Sequence, residues 1–383
     1  MKQRNILLVI QPAYPERIQG IARFARAHGW HLTIVDRLAR FPRGWRGDGA
    51  LVTLRGNAET NRFVKGLVRD GIPVVDLTFN HPEIRLPRVS GDHEAFGRLA
   101  REHFASLNFR HFAWFSTGWS HVHELRFCGF SLETSDESRG MRAHDTDRWV
   151  LEDMVGNDEI DNWRLFLRII GRKLKSAPKP LAVLAYDDAD AAKVLSAALE
   201  AGLRVPEDVA IMGIGNDAVI CENQAVPLSS INHDLERNGY EGAALLDKLM
   251  SNPSKPPKPL LLSPRGIVIR KSTDTLAADD PLLTAALKEI ARRLGTSFGI
   301  NELAENLQVP RKRLERLFAE KFSRSVGKEI ARQRLERAKR FLTETDKPMK
   351  EIAALCGYCN AGYFTNAFRS GTGLTPKAWR RDR

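Results

Sequence analysis

Four cations stand within six residues at Arg311, Lys312, Arg313 and Arg316, interleaved with Leu314, Leu317 and Phe318 at three- and four-residue spacing. A helix that buries those apolar side chains turns the cations, with Glu315, to its outer face. Arginine forks onto guanine and a carboxylate accepts from cytosine, so such a face suits a nucleic-acid groove. A second set of polar groups lies near the ends of apolar runs, in Ser90-Gly91-Asp92-His93-Glu94, Leu125-Arg126-Phe127-Cys128-Gly129-Phe130 and Tyr186-Asp187-Asp188-Ala189-Asp190. Carboxylates accept the protons of paired hydroxyls, an arginine donates a fork, and an aromatic ring stacks on the apolar face of a sugar. Together these make the chemistry of a polyol-binding cleft, although singly each reads as ordinary surface or a helix cap. Cys356 and Cys359 have the spacing of a metal-ligand pair, but no His follows His233 and no second Cys pair completes the set, so no metal is expected. No Walker loop, dinucleotide fingerprint, HExxH or Ser-centred elbow is present, and neither catalysis nor a cofactor is expected.

The elements that must position these groups fall into two parts. Up to about residue 270, short apolar runs alternate with helical patterns. Expected strands are Ile6–Ile10, Leu32–Val35, Val74–Leu77, Phe112–Phe115, Leu181–Ala185 and Val209–Ile214, and a Pro-rich loop at 251–259 leads into Leu260–Leu262 and Gly266–Ile269. Helices are expected at Glu16–Ala27, Ala58–Arg69, His93–Leu107, Ala189–Ala201 and Leu235–Met250. This is the pattern of a parallel sheet with crossover helices, whose ligand sites lie at strand ends. From Leu282 to Trp379 strand-like alternation stops. Leu303, Ala304 and Leu307 precede a tight turn at Val309 and the helix face Leu314, Leu317 and Phe318; Ile352, Ala353 and Leu355 precede Cys356-Gly357-Tyr358 and the face Phe364, Ala367 and Phe368. Both halves have helix-turn-helix spacing, with Gly357 suited to a left-handed turn and Asn360 to an N-cap.

Charge follows the same division. The chain of 383 residues carries a net +12, and Pro281–Arg383 alone holds 22 Lys and Arg against 11 Asp and Glu, leaving 37 against 36 upstream. A basic module on a neutral body is the composition of a polyanion binder. No stretch approaches the roughly 18 apolar residues of a membrane helix, and Ile6–Ile10 is too short for a signal-peptide core. The expected location is cytoplasmic, and the four dispersed cysteines are expected as free thiols.

Residues Ala286 to Arg381 resemble the DNA-binding domain of the AraC/XylS family of transcription regulators. The likeness rests on Leu303-Ala304, Arg316-Leu317-Phe318, Arg334-Leu335, Ala338-Lys339, Glu351-Ile352-Ala353, Cys356-Gly357-Tyr358, Tyr363-Phe364, Phe368-Arg369, Gly373 and Thr375-Pro376. Departures are Gln308 where the turn usually has Gly, Pro310 where Ser or Thr caps, and Gly362 where Ser is frequent. The resemblance implies two recognition helices in successive major grooves. It assigns base contact to Lys312, Arg313, Glu315 and Arg316 in the first and to Tyr363, Thr365 and Asn366 in the second, with Arg369 on phosphate.

Residues Arg4 to Ile269 resemble the sensor domain of the lactose-repressor and ribose-binding-protein superfamily, most clearly at Val205-Pro206-Glu207-Asp208-Val209-Ala210-Ile211-Met212-Gly213-Ile214 and Pro227-Leu228-Ser229-Ser230-Ile231. The likeness implies an α/β two-lobed, periplasmic-binding-protein-like sensor over 1–271, a linker over 272–285, and an all-α domain with two helix-turn-helix motifs over 286–383. Matching positions give Asp92, Arg126 and Asp187 as ligand contacts. Gly215 stands where the family often has Asp, so Asn216 or Asp217 is expected to replace that contact, with Gln11, Tyr14 and Trp119 as further candidates. The order of the two domains implies a regulator of sugar-catabolic genes that responds to xylose or a related pentose. Its implied partners are double-stranded DNA, the small sugar effector, a second copy in a homodimer and, as a further candidate, RNA polymerase, with no membrane. The alternative is a solute-binding protein without a gene-regulatory role.

Overall fold

Apolar runs too short for a buried helix, each followed by a helical stretch, assemble into two parallel sheets. A computed structural model of the chain describes all residues except 1–2, 12, 36–41, 43, 55–57, 132–145, 157–158, 253–257, 276–279, 297, 323 and 382–383. It divides into two compact units, Met1–Thr275 and Leu276–Arg383. Part of the stretch read as a linker, 276–279, lies outside the described residues, and a helix begins at Pro281.

The first unit runs β1 (Arg4–Val9), α1 (Pro15–His28), β2 (Trp30–Ile34), β3 (Gly49–Val52), α2 (Ala58–Arg69), β4 (Val74–Asp76), β5 (Val89–Gly91), α3 (His93–Ser106), β6 (His111–Ser116), α4 (His121–Ser131), β7 (Thr146–Val150), α5 (Leu151–Met154), α6 (Trp163–Ser176), β8 (Leu181–Ala185), α7 (Asp188–Glu200), β9 (Val209–Gly215), α8 (Ala218–Glu222), β10 (Ser229–Asn232), α9 (Leu235–Ser251), β11 (Leu260–Leu262) and β12 (Gly266–Val268). Lobe one holds the parallel order β2-β1-β3-β4, which an Asp76–Arg88 bridge continues into the pair β5-β11. Lobe two holds β12-β10-β9-β8-β6-β7, parallel except for β12. Alternation along β1 shows why both faces must be covered: Ile6 and Leu8 pack with Ile21, Phe24 and Leu246 beneath α1 and α9, whereas Leu7 and Val9 pack with Val64 and Leu67 of α2. In lobe two, Phe115, Val183 and Ile211 meet Phe166 and Ile170 of α6. The chain passes between lobes three times, after β5, after β10 and after β11.

Six strands go beyond expectation, among them β11 and β12 at the two runs that follow the Pro-rich loop. β3, β5, β7 and β10 are three to five residues long and carry Gly, Ser, Thr or Asp, so period-based reading passes over them. β10 is a buried strand because Ser229 and Ser230 are satisfied internally: Ser229 Oγ shares a hydrogen bond with Thr273 Oγ1 at 2.7 Å, and Ser230 Oγ donates to Asp188 at 2.5 Å.

The second unit runs α10 (Pro281–Arg293), α11 (Ile300–Asn306), α12 (Arg311–Phe322), α13 (Val326–Glu344), α14 (Met349–Leu355), α15 (Ala361–Thr372) and α16 (Pro376–Arg381). It has two cores. Leu303, Ala304, Leu314 and Phe318 make the first with Leu283 and Ile290 of α10; Ile352, Ala353, Phe364 and Phe368 make the second. α13 belongs to both, giving Val326 and Ile330 to one and Ala338 and Leu342 to the other. Each fully buried aromatic here contributes about 1.5–3 kcal/mol.

The two inter-helix turns have the same hydrogen bonds. Gln308 N–H donates to Glu305 O and Val309 N–H to Ala304 O; Gly357 N–H donates to Ala354 O and Tyr358 N–H to Ala353 O. Both turn residues are left-handed, Gln308 at φ 53° and Gly357 at φ 73°. Only Gly357 is also crowded, since a Cβ there would collide with Leu294 O and lie 2.8 Å from Thr296 O. Gly357→Ala is therefore expected to destabilise the helical unit by about 2–4 kcal/mol. Gln308→Gly is expected to stabilise it by about 1 kcal/mol by relieving a left-handed non-glycine residue. Calorimetric melting of the full chain checks both, and a neutral Gly357→Ala would refute the crowding argument.

Candidate functional site

The carboxyl ends of β8, β9 and β10 and the start of α1 converge on a cavity of about 230 Å³ between the lobes of the first unit. Tyr14, Glu16 and Arg17 line it from lobe one, Arg126, Tyr186, Asp187, Asp188, Asn216 and Asp217 from lobe two, and His233 and Asp234 from the second crossing. Of the residues expected on sequence grounds, Tyr14, Arg126, Asp187, Asn216 and Asp217 are thus brought together. Three others lie outside the cavity wall. Asp92 caps α3, its Oδ1 accepting from Ala95 N–H at 3.0 Å, while its own N–H donates to Leu262 O across the first and third crossings. Gln11 is tied to lobe one through Thr53, whose hydroxyl accepts from Gln11 N–H at 2.8 Å. Trp119 sits edge-on to Trp114 and Phe127 under the Arg148 guanidinium, and donates to Glu124.

Capping geometry explains why acidic side chains gather here. Asp187 precedes α7 and accepts from Asp190 N–H at 2.9 Å; Asp217 precedes α8 and accepts from Val219 and Ile220 N–H. Helix N-termini favour negative charge, so both carboxylates are held at strand-to-helix turns pointing toward the cleft mouth. Arg126 is 4% exposed; its guanidinium lies 4.7 Å from the Tyr186 ring centre, donates to Tyr186 O and donates from Nε to His93 Nδ1 at 3.3 Å. Burial, then the charge of Arg126, hold the His93 pKa well below its usual value, so the ring is neutral. With Nδ1 accepting, the proton sits on Nε2, which donates to Ser90 Oγ at 3.2 Å. His233 packs edge-on against His93 and Phe96 at the crossings. Tyr186 is backed by His123, stacked at 3.6 Å, and His123 shares a hydrogen bond with Ser120, whose hydroxyl donates to Asn80 of lobe one at 3.0 Å.

Sequence reasoning quoted Tyr186 and Asp188 within a polar segment but assigned neither a role, and it did not reach Arg17, His233 or Asp234. Asp188 is the most deeply placed of the carboxylates. It accepts from Ser230 Oγ and, at 2.8 Å, from Asp217 N–H. Burial pushes its carboxyl up to about 6, and burial likewise pushes the neighbouring Cys221 thiol to about 12.

In the second unit, α12 and α15 each bury two residues four apart, Leu314 and Phe318 in one, Phe364 and Phe368 in the other. That register leaves Lys312, Arg313 and Arg316 exposed on α12, and Tyr363, Asn366 and Arg369 exposed on α15. Glu315 is half-buried and accepts from Arg311 Nε at 2.8 Å, so α12 presents Arg311 partly neutralised. Thr365 donates its hydroxyl to Ala361 O at 2.8 Å, which turns its methyl into the contact it can offer outward. Asn360 caps α15 by accepting from Tyr363 N–H at 2.7 Å. The first helix is the more cationic face and the second the more polar and aromatic one.

Residues 101–273 match the family described as periplasmic binding protein-like domain, and residues 303–382 match a helix-turn-helix domain. A xylose operon regulatory protein of Haemophilus influenzae is 31% identical over 207 residues, 54% of each chain. The protein of that name from Escherichia coli is 22% identical over 98% of this chain and 96% of its own length. Among solved structures, a xylose-binding transcription activator, xylR, aligns over 100% of this chain and 99% of its own with a TM-score of 0.61 at 21% identity. A segment similar to periplasmic binding proteins is thus followed by one similar to helix-turn-helix domains. Most of the cavity wall lies within the first match, with Tyr14, Glu16 and Arg17 preceding it, and the exposed cations lie on α12 within the second. Among the described residues no helix is long and apolar enough to cross a membrane.

The raised carboxyl of Asp188 makes stability depend on pH. Because the folded pKa, about 6, lies above the ordinary 3.8, the folded state holds this proton more tightly; the stabilisation is complete below about 3.8 and is lost as pH rises through 6. Between pH 7 and pH 5 the binding-protein-like domain should gain about 1 kcal/mol relative to Asp188→Asn, measured as the difference in melting temperature between the two proteins. Parallel melting curves for the two proteins across that range would refute it.

Proposed function

We propose that the chain is a sugar-responsive transcription regulator whose signal is xylose or a related pentose. The observation that carries this reading is the composition of the inter-lobe cavity: Asp187, Asp188 and Asp217 as acceptors, Arg126 as a forked donor and Tyr186 as a ring, in a chain that also bears two helix-turn-helix motifs. Acceptors and donors crowded around one small space suit adjacent hydroxyls. At about 230 Å³ the cavity lies below the roughly 300–1,000 Å³ of sites for drug-sized ligands, which favours a single sugar ring over an oligosaccharide. The similarity to proteins named for xylose supports the pentose.

Closure of the lobes is the step that ligand would bias, and it has leverage only if the sugar binds the closed state more tightly than the open one. The contact of Ser120 with Asn80 across the cleft mouth, backed by His123 and the cavity residue Tyr186, is where occupancy would be felt. The readout is the presentation of two DNA-binding units in a homodimer, with the cationic α12 anchoring on one major groove and α15 reading the next. A solute-binding protein without a regulatory role would need no exposed cationic helix on a second domain.

A thermal-shift panel of pentoses, hexoses and sugar alcohols tests the sensor. D-xylose at 100 times its Kd should raise apparent stability by about 2.7 kcal/mol, and Asp187→Ala should abolish that shift while ligand-free DNA binding stays measurable. No shift with any sugar would remove the sugar reading.

Arg316→Ala should weaken operator binding by about 1–3 kcal/mol with little change on random DNA, measured by fluorescence anisotropy at fixed salt. Equal losses on both would make Arg316 a phosphate contact.

A further inference from the structure

Asp188 is 3% exposed, yet it forms part of the cavity wall. It is the first residue of α7, and its side chain reaches beneath the ends of β9 and β10. Two glycines make that possible. A Cβ on Gly213 would collide with Asp188 Oδ1, and a Cβ on Gly215 would lie 2.9 Å from Oδ2. Gly215 also has φ 143°, a conformation that side-chain-bearing residues rarely adopt. The last residue of β9, Gly215, therefore brings no side chain to the cleft beside Ile214, and a carboxylate from the neighbouring helix fills the space it leaves.

The groups that hold this carboxylate are a hydroxyl, a backbone amide and a thiol: Ser230, Asp217 N–H and Cys221. A carboxylate has about four acceptor directions, so capacity remains on the side that lines the cavity. Burying a carboxylate with neutral donors alone is costly, and burial raises its pKa accordingly. A structural clip would be better served by Asn or Ser. A ligand hydroxyl would supply the missing donor.

We infer that Asp188 is a sugar-contacting carboxylate, accepting a ligand hydroxyl at the floor of the cleft in the place that a side chain at Gly215 would otherwise take. The assignment rests on the sugar reading above and adds the residue that selects the hydroxyl nearest β9 and β10. Asp188→Asn is nearly isosteric: its carbonyl can still accept from Asp217 N–H while its amide donates to Ser230. Ser230→Ala loosens the same clip but keeps the carboxylate.

Titration calorimetry of the full-length protein with D-xylose, L-arabinose, D-ribose and D-glucose compares wild type with both variants. For the sugar that wild type binds best, Asp188→Asn at pH 7 should weaken binding at least tenfold while its ligand-free melting temperature does not fall, and Ser230→Ala should change affinity less than threefold. Unchanged affinity in Asp188→Asn overturns the assignment alone, as does an equal loss in Ser230→Ala, which would make Asp188 a clip for the Gly215–Asp217 loop. Wild-type binding of none of the four overturns the sugar reading and this assignment with it. Should Asp188→Asn fail to fold, wild type carries the test through proton release. A hydroxyl donating to the carboxylate favours its ionised form, so binding at pH 6 should release protons, seen as binding heats that vary with buffer ionisation enthalpy. Asp187, Asp217 and Cys221 lie against Asp188, Arg270 acts on Cys221, and Glu16, Arg17, Arg126, Tyr186, His233 and Asp234 share the cavity wall with it. Buffer-independent heats at pH 6 would overturn the assignment.

Discussion

Three passes of the chain between two parallel sheets constrain everything in the first unit. Each crossing leaves a strand at its carboxyl end, so both sheets direct those ends to the same cleft, and every strand-to-helix turn there needs a residue that satisfies free helix N–H groups. Asp92, Asp187 and Asp217 meet that need. Carboxylates accumulate at the cleft because backbone capping requires them there, and ligand chemistry is built on groups that the fold already holds in place. The crossings themselves carry apolar and neutral contacts, with Gly91, His93, Phe96 and His233 in close packing. A neutral His93 lets Arg126 approach it as a donor instead of a competing charge.

The second unit solves a different problem, that of making two small helix pairs stable when neither has enough apolar surface alone. α13 is buried at one end by the first pair and at the other by the second. Its middle residue Arg334 donates to Thr296 O at 2.7 Å and lies between the Phe298 and Tyr358 rings, one from each half. The bare backbone of Gly357 meets the carbonyls of Leu294 and Thr296 at the same junction.

Much of this was legible in the sequence, for reasons that differ between the units. Helix-turn-helix spacing survives as Leu314/Phe318 and Phe364/Phe368 because four-residue spacing alone fixes which residues a short helix buries. The long β-runs at Ile6, Leu181 and Val209 were legible because strands covered on both faces are apolar throughout. β10 was not, since its buried serines are satisfied by partners from Asp188 and Thr273 that no local pattern reveals. The cleft was legible to the extent that its residues follow strands directly, as Asp187 and Asn216 show. Asp92 and Asp187 look alike in sequence, both capping the helix after a strand, and only the path of the chain puts one in the cavity wall and the other at a crossing. Gly215 stood out as a departure, but the side chain that fills its space belongs to another element, and sequence carries no direction for a side chain across elements.

On the proposed DNA-binding reading, the shared helix constrains the duplex. Because α13 is continuous and its two ends are locked into different cores, α12 and α15 cannot turn or slide independently. The pair acts as a ruler of fixed length and phase, and the DNA must bring two groove segments to it on one face. Moving one recognised segment by a single base pair rotates it by about a tenth of a helical turn, a mismatch the protein has no joint to absorb and the duplex must take up by twisting. On that reading, operator spacing would be selected by the elasticity of DNA as much as by the bases touched, and the stiffness of intervening base steps would become part of the recognition.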